Sequence, residues 1–276
     1  MDIIEILKVI LFGIVEGITE WLPVSSTGHM ILLDEFVKLN VSEEFWNVFL
    51  VVIQLGAILA VIILFWKKIW PFQFKDKNKP VMEKDIFFMW VKILIACVPA
   101  AVIGILFDDI LDKYLYRYEV VSVALIVFGI AFIIIETKNK GKEAKINSLA
   151  EITYTTAALI GMFQLIAAIF PGTSRSGATI VGALLIGVSR TVAAEFTFFL
   201  ASPVMAGASL LKMLKYGFSY TTTEWMILLL GMVTAFIVSM VVIKFLMGYI
   251  KKHDFKVFGW YRIVLGIAVL GYFAFI

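Results

Sequence analysis

Residues 16–29 read EGITEWLPVSSTGH, and residues 171–179 read PGTSRSGAT. We call them motif 1 and motif 2. Each places charged and hydroxyl side chains between stretches that are apolar on both sides. An ionisable side chain at the centre of a bilayer costs about 2.5–3.5 kcal/mol on insertion scales, so a chain keeps one there mainly where function requires it. The two motifs are therefore the first candidates for a functional site.

The composition predicts the fold class. Of the 276 residues, 62% are hydrophobic and 16% are charged, whereas a soluble domain is closer to half apolar. This favours an all-α polytopic membrane protein. The formal net charge is only +3, and no basic stripe with interleaved aromatic residues indicates a nucleic-acid partner. Cys97 is the single cysteine, which excludes an intramolecular disulfide.

Six apolar runs have about the 20 residues that cross the hydrocarbon layer. They are 45–66, 87–107, 119–136, 192–211, 224–247 and 257–276. Two further regions, 3–33 and 152–189, each break at a motif into shorter apolar halves. Such halves fit re-entrant helical hairpins, whose irregular tips must be buried in protein or line a cavity. The alternative is eight crossings, with both hairpins spanning the membrane.

Charges in the loops predict the topology. Lysines crowd the loops after the first, third and fifth spans, at positions 67, 68, 75, 77, 79 and 84, at 138, 140, 142 and 145, and at 251, 252 and 256. The positive-inside rule places these loops in the cytoplasm. Segments 34–44 and 108–118, which are rich in acidic residues, then face outward. The six spans alternate only if both hairpins return to the side that they entered. Lys212 and Lys215 fall on the outer side and count against this topology.

The two halves of the chain predict an inverted repeat within a single membrane domain of residues 1–276. Each half, 1–140 or 149–276, holds one hairpin and three spans, so the halves run in opposite directions across the membrane. The two tips can then meet near the midplane. An offset of 148 positions supports the repeat, and the pairs that it relates are Pro23–Pro171, Gly13–Gly161, Glu16–Gln164, Ser25–Thr173 and Ser26–Ser174.

Motif 1 combines paired carboxylates with hydroxyls and a histidine. Glu16 and Glu20 lie four residues apart and share one helix face. A divalent cation or a shared proton would relieve their repulsion. Pro23 ends the helix because its ring cannot continue the hydrogen-bond ladder. A lone histidine is usually a packing residue, but the position of His29 beside three hydroxyls in a membrane favours proton transfer.

Motif 2 combines a helix start with an arginine. Pro171 and Gly172 break one half-helix, and Thr173 or Ser174 can cap the next. The freed N–H groups at such a start form an anion site, and the planar guanidinium of Arg175 suits phosphate oxygens. The alternative is a structural ion pair between Arg175 and Glu16 or Glu20. Together the motifs offer the groups that phosphoryl transfer requires.

Both motifs resemble the signatures of the bacterial undecaprenyl-diphosphate phosphatases, the bacitracin-resistance proteins, and residues 49–57 (FLVVIQLGA) resemble that family too. The resemblance implies hydrolysis of undecaprenyl diphosphate to the monophosphate, which recycles the carrier lipid for peptidoglycan synthesis. It also implies a divalent cation, Mg²⁺ or Ca²⁺, and a plasma-membrane site open to the outer face. By motif position, the essential residues of the family fall on Glu16, Glu20, Ser26, His29 and Arg175.

These residues predict a reaction scheme. Ser26 attacks the terminal phosphorus, His29 acts as base and then acid, Glu20 orients His29, and Arg175 stabilises the transition state. The cation is held by Glu16 and Glu20, or by one of them, and offsets the charge of the diphosphate. The hydroxyls expected to bind substrate are those of Ser25, Thr27, Thr173, Ser174, Ser176 and Thr179.

The sequence leaves several alternatives open. Water attack and a phosphohistidine at His29 both compete with a seryl intermediate. An inverted-repeat transporter or flippase for a prenyl phosphate lipid or a small anion is the non-enzyme alternative. The expected partners are the diphosphate lipid and the bilayer, with a homodimer left open.

Overall fold

The computed structural model describes residues 1–73 and 81–275, without the side chains at positions 108, 109, 112 and 113. Its α-helices, numbered along the chain, are α1 (Ile3–Thr19), α2 (Ser26–Phe36), α3 (Glu43–Val52), α4 (Gln54–Leu64), α5 (Trp66–Ile69), α6 (Lys84–Leu115), α7 (Tyr118–Asn139), α8 (Tyr154–Ile169), α9 (Arg175–Ile186), α10 (Arg190–Tyr216), α11 (Thr222–Tyr249) and α12 (Lys256–Ala274). The cytoplasmic placement predicted for Lys75, Lys77 and Lys79 concerns residues outside the described part.

The all-α membrane fold is confirmed. Within the described ranges, six segments are long and apolar enough to span a bilayer: Glu43–Leu64, Lys84–Phe107, Tyr118–Asn139, Arg190–Tyr216, Thr222–Tyr249 and Lys256–Ala274. These are the six predicted runs, and α3 and α4 together form the first. Large apolar side chains on their outer faces, among them Leu94, Val98, Val241 and Val264, are more than half exposed. Lipid rather than water must cover such faces.

Two helix pairs correspond to the predicted hairpins. Helices α1 and α2 have 17 and 11 residues, and α8 and α9 have 16 and 12. Asp2 caps α1 by accepting a hydrogen bond from the Glu5 amide, and Thr153 caps α8 in the same way through the Thr156 amide. The breaks fall at motif 1 and motif 2. The return of each hairpin to the side that it entered stays a prediction.

The first helix of each hairpin packs against a span from the other half. Helix α1 lies along α11, and α8 lies along α6. A Cβ added at Gly13 would meet the Gly231 carbonyl oxygen at 2.9 Å, and one at Gly161 would meet the Ala96 carbonyl oxygen at 2.5 Å. Glycine at both positions therefore lets two helix backbones approach closely. An inverted repeat predicts such reciprocal packing, in which each hairpin contacts the other half of the chain. The opposite orientation of the two halves in the membrane stays a prediction.

Helix α12 completes the setting of the hairpin tips. It packs along α7, and α7 in turn contacts both α2 and α9. The main hydrophobic core lies beneath the tips, where the fully buried Trp21 meets Phe198 edge to face with ring centroids 5.2 Å apart. The tips are therefore held by packed spans on several sides.

Candidate phosphoryl-transfer site

The tips of the two hairpins contact each other directly, as predicted. Arg175 Nη2 donates to Glu20 Oε1 at 2.7 Å, and Ser176 Oγ donates to the Glu20 carbonyl oxygen at 3.1 Å. The Glu20 and Arg175 side chains are 9% and 13% exposed. Motif 1 and motif 2, which are about 150 positions apart in the chain, therefore form one local cluster.

Both second half-helices begin in the same unusual way. Ser25 and Ser174 cap α2 and α9 with φ angles of 75° and 68°, and within the described residues they are the non-glycine positions with positive φ. Each serine accepts a hydrogen bond from the amide three residues on, at 3.3 Å from Gly28 and 3.1 Å from Gly177. Such conformations cost roughly 1–3 kcal/mol each and persist where the surroundings enforce them.

This correspondence corrects the predicted register of the repeat at the tips. The offset of 148 paired Ser25 with Thr173 and Ser26 with Ser174. By conformation Ser25 instead matches Ser174, so the offset at the caps is 149. The sequence carried a signal for this offset, because Ser25 and Ser174 are each followed three residues later by a glycine, Gly28 or Gly177.

The two helix starts offer donors that an anion could bind. The first amides of an α-helix have no intrahelical acceptor, and the helix dipole favours negative charge there. The starts of α2 and α9 both lie at the contact between the tips, beside the hydroxyls of Ser26, Ser174 and Ser176. A phosphate group held between them would find N–H and O–H donors from both hairpins.

Glu20 lies at the centre of the cluster. Its Oε2 accepts from Ser26 Oγ at 2.9 Å, while its Oε1 accepts from Arg175. Arg175 also donates through Nη1 to the Thr197 carbonyl oxygen at 3.1 Å. The ion pair that the sequence left as an alternative is thus present, with Glu20 as the partner. The ion pair also holds the Arg175 guanidinium at the start of α9. An anion that enters there would accept hydrogen bonds from the same guanidinium as Glu20 does.

His29 has different partners from those predicted. Its Nδ1 lies 2.7 Å from the Ser25 carbonyl oxygen and its Nε2 lies 2.6 Å from the Tyr261 hydroxyl. A carbonyl oxygen only accepts, so Nδ1 carries the proton and, in the neutral ring, Nε2 accepts from Tyr261. The Tyr261 and His29 rings are stacked at 4° with centroids 5.6 Å apart. The predicted orientation of His29 by Glu20 is therefore wrong for this structure.

Four more of the predicted hydroxyl residues lie at the tips or in the first turn of a half-helix. Ser174 and Ser176 share a hydroxyl contact of 3.1 Å at the tips, and Thr27 lies half-buried in the first turn of α2. Thr179 donates to the Arg175 carbonyl oxygen at 2.9 Å and contacts the Thr197 hydroxyl at the same distance, so it supports the first turn of α9.

Two predicted residues are buried with unpartnered oxygens. Glu16 lies one turn before Glu20, whose amide donates to the Glu16 carbonyl oxygen at 3.0 Å. The Glu16 side chain is buried, and its Oε1 has no hydrogen-bond partner within the described part of the chain. The hydroxyl of the fully buried Thr173 is in the same condition there. These oxygens are the ones that a bound group could satisfy.

A residue that the sequence reasoning missed lies beneath the cluster. Arg262 on α12 is fully buried and donates to the carbonyl oxygens of Pro23, Gly172 and Thr173. Its neighbour Tyr261 contacts His29. The signal was available, because Arg262 is an ionisable residue inside the predicted span 257–276.

Comparison with known proteins gives one consistent result. The family model described as bacitracin resistance protein BacA matches residues 9–268. The undecaprenyl-diphosphatase of Desulfitobacterium hafniense is 67% identical over 274 residues, which cover 99% of this chain and 98% of that protein. Undecaprenyl-diphosphatase 1 of Clostridium acetobutylicum is 66% identical over 99% of both chains, and the undecaprenyl-diphosphatase of Enterococcus faecalis is 63% identical over 98% of both.

Proposed function

The chain belongs to the BacA family of bacitracin resistance proteins, and we propose that it is a multi-pass membrane phosphatase for undecaprenyl diphosphate. The products are undecaprenyl phosphate and inorganic phosphate. The monophosphate returns to the pool of carrier lipid that peptidoglycan synthesis uses. Bacitracin binds the same diphosphate lipid, so a higher level of this enzyme confers resistance.

One observation carries the proposal. Glu20 joins the Ser26 hydroxyl of one hairpin to the Arg175 guanidinium of the other, at 2.9 and 2.7 Å. A nucleophile, a carboxylate base and a fork of phosphate-binding donors therefore lie within one hydrogen-bonded chain. The two helix starts add donors for the transferred phosphoryl oxygens. A transporter of lipid or anion has no evident need for a serine held by a carboxylate.

The first step uses Ser26 and Glu20. The Ser26 oxygen attacks the terminal phosphorus, and the hydroxyl proton passes to Glu20 Oε2, to which it already donates. The bond between that phosphorus and the bridging oxygen breaks, and undecaprenyl phosphate leaves. Arg175 and the helix starts stabilise the charge on the equatorial oxygens. Glu20 rather than His29 is thus the base for Ser26.

His29 serves the second step. With Nδ1 bound to the Ser25 carbonyl oxygen, Nε2 is the nitrogen that can exchange a proton. A water molecule that donates to the Tyr261 hydroxyl, which itself donates to Nε2, would pass its proton through Tyr261 to His29 as it attacks the phosphorylated serine. The phosphorus–serine bond then breaks, the serine oxygen takes the proton from Glu20, inorganic phosphate leaves, and His29 returns its extra proton to solvent.

Tyr261→Phe is expected to lower kcat by about 2- to 10-fold with little change in KM, because one neutral hydrogen bond to His29 contributes about 0.5–1.5 kcal/mol. Steady-state phosphate release measures this. Tyr249→Phe is the matched control, since Tyr249 stacks on His253 with centroids 4.5 Å apart, in a tyrosine–histidine pair outside the cluster. Equal loss in both variants would contradict the role of Tyr261.

The residues present fit a divalent cation as the resemblance implies. The buried Glu16 oxygen without a partner and the Glu20 carboxylate one turn later would hold it. In the described residues no group of three His, Cys, Asp or Glu side chains comes together, so diphosphate oxygens and water would complete the coordination, as Mg²⁺ often requires. The cation supplies positive charge that offsets the charge of the diphosphate.

Glu16→Gln is expected to raise the concentration of Mg²⁺ or Ca²⁺ that gives half-maximal activity by about 10-fold or more, because the amide is a weaker ligand than the carboxylate. Titration of phosphate release against each cation measures the shift. Glu44→Gln, at an exposed position in the first turn of α3, is the control. An unshifted titration for Glu16→Gln would remove Glu16 from the cation site.

The site opens to the outer face of the plasma membrane in this proposal. The support is the resemblance of both motifs to the family, together with the lysine distribution, which puts the entry of the first hairpin outside. A homodimer is retained as the proposed protein partner, and light scattering of the protein in detergent distinguishes it from a monomer of 31.0 kDa.

The direct test is phosphate release by the purified protein from undecaprenyl diphosphate, with and without a chelator. We expect release that the chelator suppresses and added Mg²⁺ or Ca²⁺ restores. Movement of the lipid or of phosphate across proteoliposomes without any phosphate release would contradict hydrolysis and favour the transporter alternative.

A further inference from the structure

We propose that Arg262 is a positioning residue that sets the spacing between the two hairpin tips, and through it the alignment of Ser26 with Arg175. The inference rests on the proposed hydrolysis and adds to it a residue outside both motifs. Arg262 lies on α12, and its guanidinium reaches beneath both tips.

The contacts of Arg262 join three separate segments. Nη1 donates to the Pro23 carbonyl oxygen in the first tip at 3.2 Å. Nη2 donates to the Gly172 and Thr173 carbonyl oxygens in the second tip at 3.0 and 2.7 Å. Nε lies 3.5 Å from the Leu125 carbonyl oxygen on α7. The planar guanidinium therefore fixes both tips against α12, the span that carries Arg262.

The partners of Arg262 are unusual for a buried cation. The side chain is fully buried, and no carboxylate within the described residues pairs with it. Burying a charge without a counter-ion carries a desolvation penalty. An apolar side chain at this position would join the helices without that penalty, so packing alone does not explain an arginine here. The positive charge also lies within hydrogen-bond distance of both tips, which favours an anion near them.

The carbonyls that Arg262 holds belong to residues one or two positions before the strained caps. Pro23 precedes Ser25 by two residues, and Thr173 directly precedes Ser174, the two serines with positive φ. Movement of either carbonyl would rotate a cap and displace the helix start that follows it. Ser26 and Arg175 are the first residues of those two helices. Arg262 therefore acts on the reacting groups through the backbone.

Gly177 offers a second way to disturb the same contact. A Cβ built on Gly177 would lie 2.8 Å from Arg262 Nη1, closer than real Cβ contacts come. Gly177→Ala would thus crowd the guanidinium without removing it, and it would also crowd the cap, since the added Cβ would lie 3.2 Å from Ser174 Cβ. Gly207→Ala on α10 is the matched control, because nothing lies within 4 Å of a Cβ there.

The experiment compares Arg262→Lys and Gly177→Ala with wild type in steady-state phosphate release. Lysine keeps the charge but cannot bond to both tips with one planar group. We expect kcat to fall by about 100-fold in Arg262→Lys, since a misplacement of about 1 Å has that effect, while KM changes less than about 3-fold. Gly177→Ala is likewise expected to lower kcat while KM changes little. Arg190→Lys, which alters the arginine paired with Glu136, is the control and is expected to keep kcat within about 2-fold.

A second readout reports on the tips themselves. Spin labels on cysteines at Leu22 and Phe170, the latter 43% exposed beside the second tip, report the distance between the tips by electron resonance in a Cys97→Ala background. We expect a narrow distribution in the otherwise wild-type protein and in Arg190→Lys. We expect a broader or shifted one in Arg262→Lys and Gly177→Ala.

The outcomes separate this inference from the proposed function. Wild-type kcat and an unchanged tip distance in Arg262→Lys would overturn the positioning role while hydrolysis stands. A lower melting temperature with unchanged kcat would also overturn it, since that result describes a structural residue. A narrow wild-type distance without phosphate release would overturn the hydrolysis and not the tip contact.

Discussion

Ser26→Ala is expected to release inorganic phosphate from undecaprenyl diphosphate at least about 1,000-fold more slowly than wild type, because the variant lacks the attacking oxygen. The expectation follows from the Ser26 hydroxyl, which already donates to Glu20 at 2.9 Å at the start of α2. The measurement is single-turnover phosphate release by purified protein in detergent.

Two further measurements show whether Ser26 is the nucleophile. Wild type quenched in acid after reaction with substrate labelled on the terminal phosphate should carry acid-stable phosphoserine. Ser122→Ala is the matched control, a buried serine on α7 whose hydroxyl has no partner among the described residues. Label on neither serine nor histidine would favour water attack, and acid-labile label that His29→Ala abolishes would favour a phosphohistidine.

Arg175→Lys is expected to lower kcat by about 100-fold or more, the usual effect of losing one preorganised donor to a transition state. Lysine keeps the charge, but it cannot bond to Glu20, the Thr197 carbonyl and a phosphoryl oxygen with one planar fork. The variant should fold, since Glu20 keeps a cationic partner. Steady-state kinetics together with the melting temperature in detergent measure both effects.

The control for Arg175→Lys is Arg117→Lys, at an exposed arginine that pairs with Glu119. This variant should behave as wild type. Turnover by Arg175→Lys close to that of wild type would mean that charge alone suffices at this position. The geometric account of the anion site would then be wrong.

The spans and hairpin breaks could be predicted from the sequence because their causes are local. A bilayer requires about 20 apolar residues for each crossing, and Pro23 and Pro171 cannot continue a helix. The meeting of the tips followed from chain topology and the cost of polar groups in lipid. The observed contact between Glu20 and Arg175 agrees with it.

The details of the site could not be predicted, because they depend on long-range geometry. The partner of His29 is Tyr261, more than 200 positions away, and no motif spacing encodes that contact. The positive φ of Ser25 and Ser174 arises inside irregular turns and has no local sequence signature. Arg262 gave a signal as an ionisable residue in a span, but its carbonyl partners emerge only when three segments pack together.

The central claim is that residues of both hairpins form one site that is open to the outer face. Single cysteines at Thr27 and Ser174, in a Cys97→Ala background, test it in intact cells with a thiol reagent that cannot cross membranes. We predict that both positions react from outside, that a non-hydrolysable diphosphate analogue protects both, and that a cysteine at Lys142 does not react. If the cysteine at Ser174 reacts only after the cytoplasmic side is opened, the two tips do not share an outward-open site and the account is contradicted.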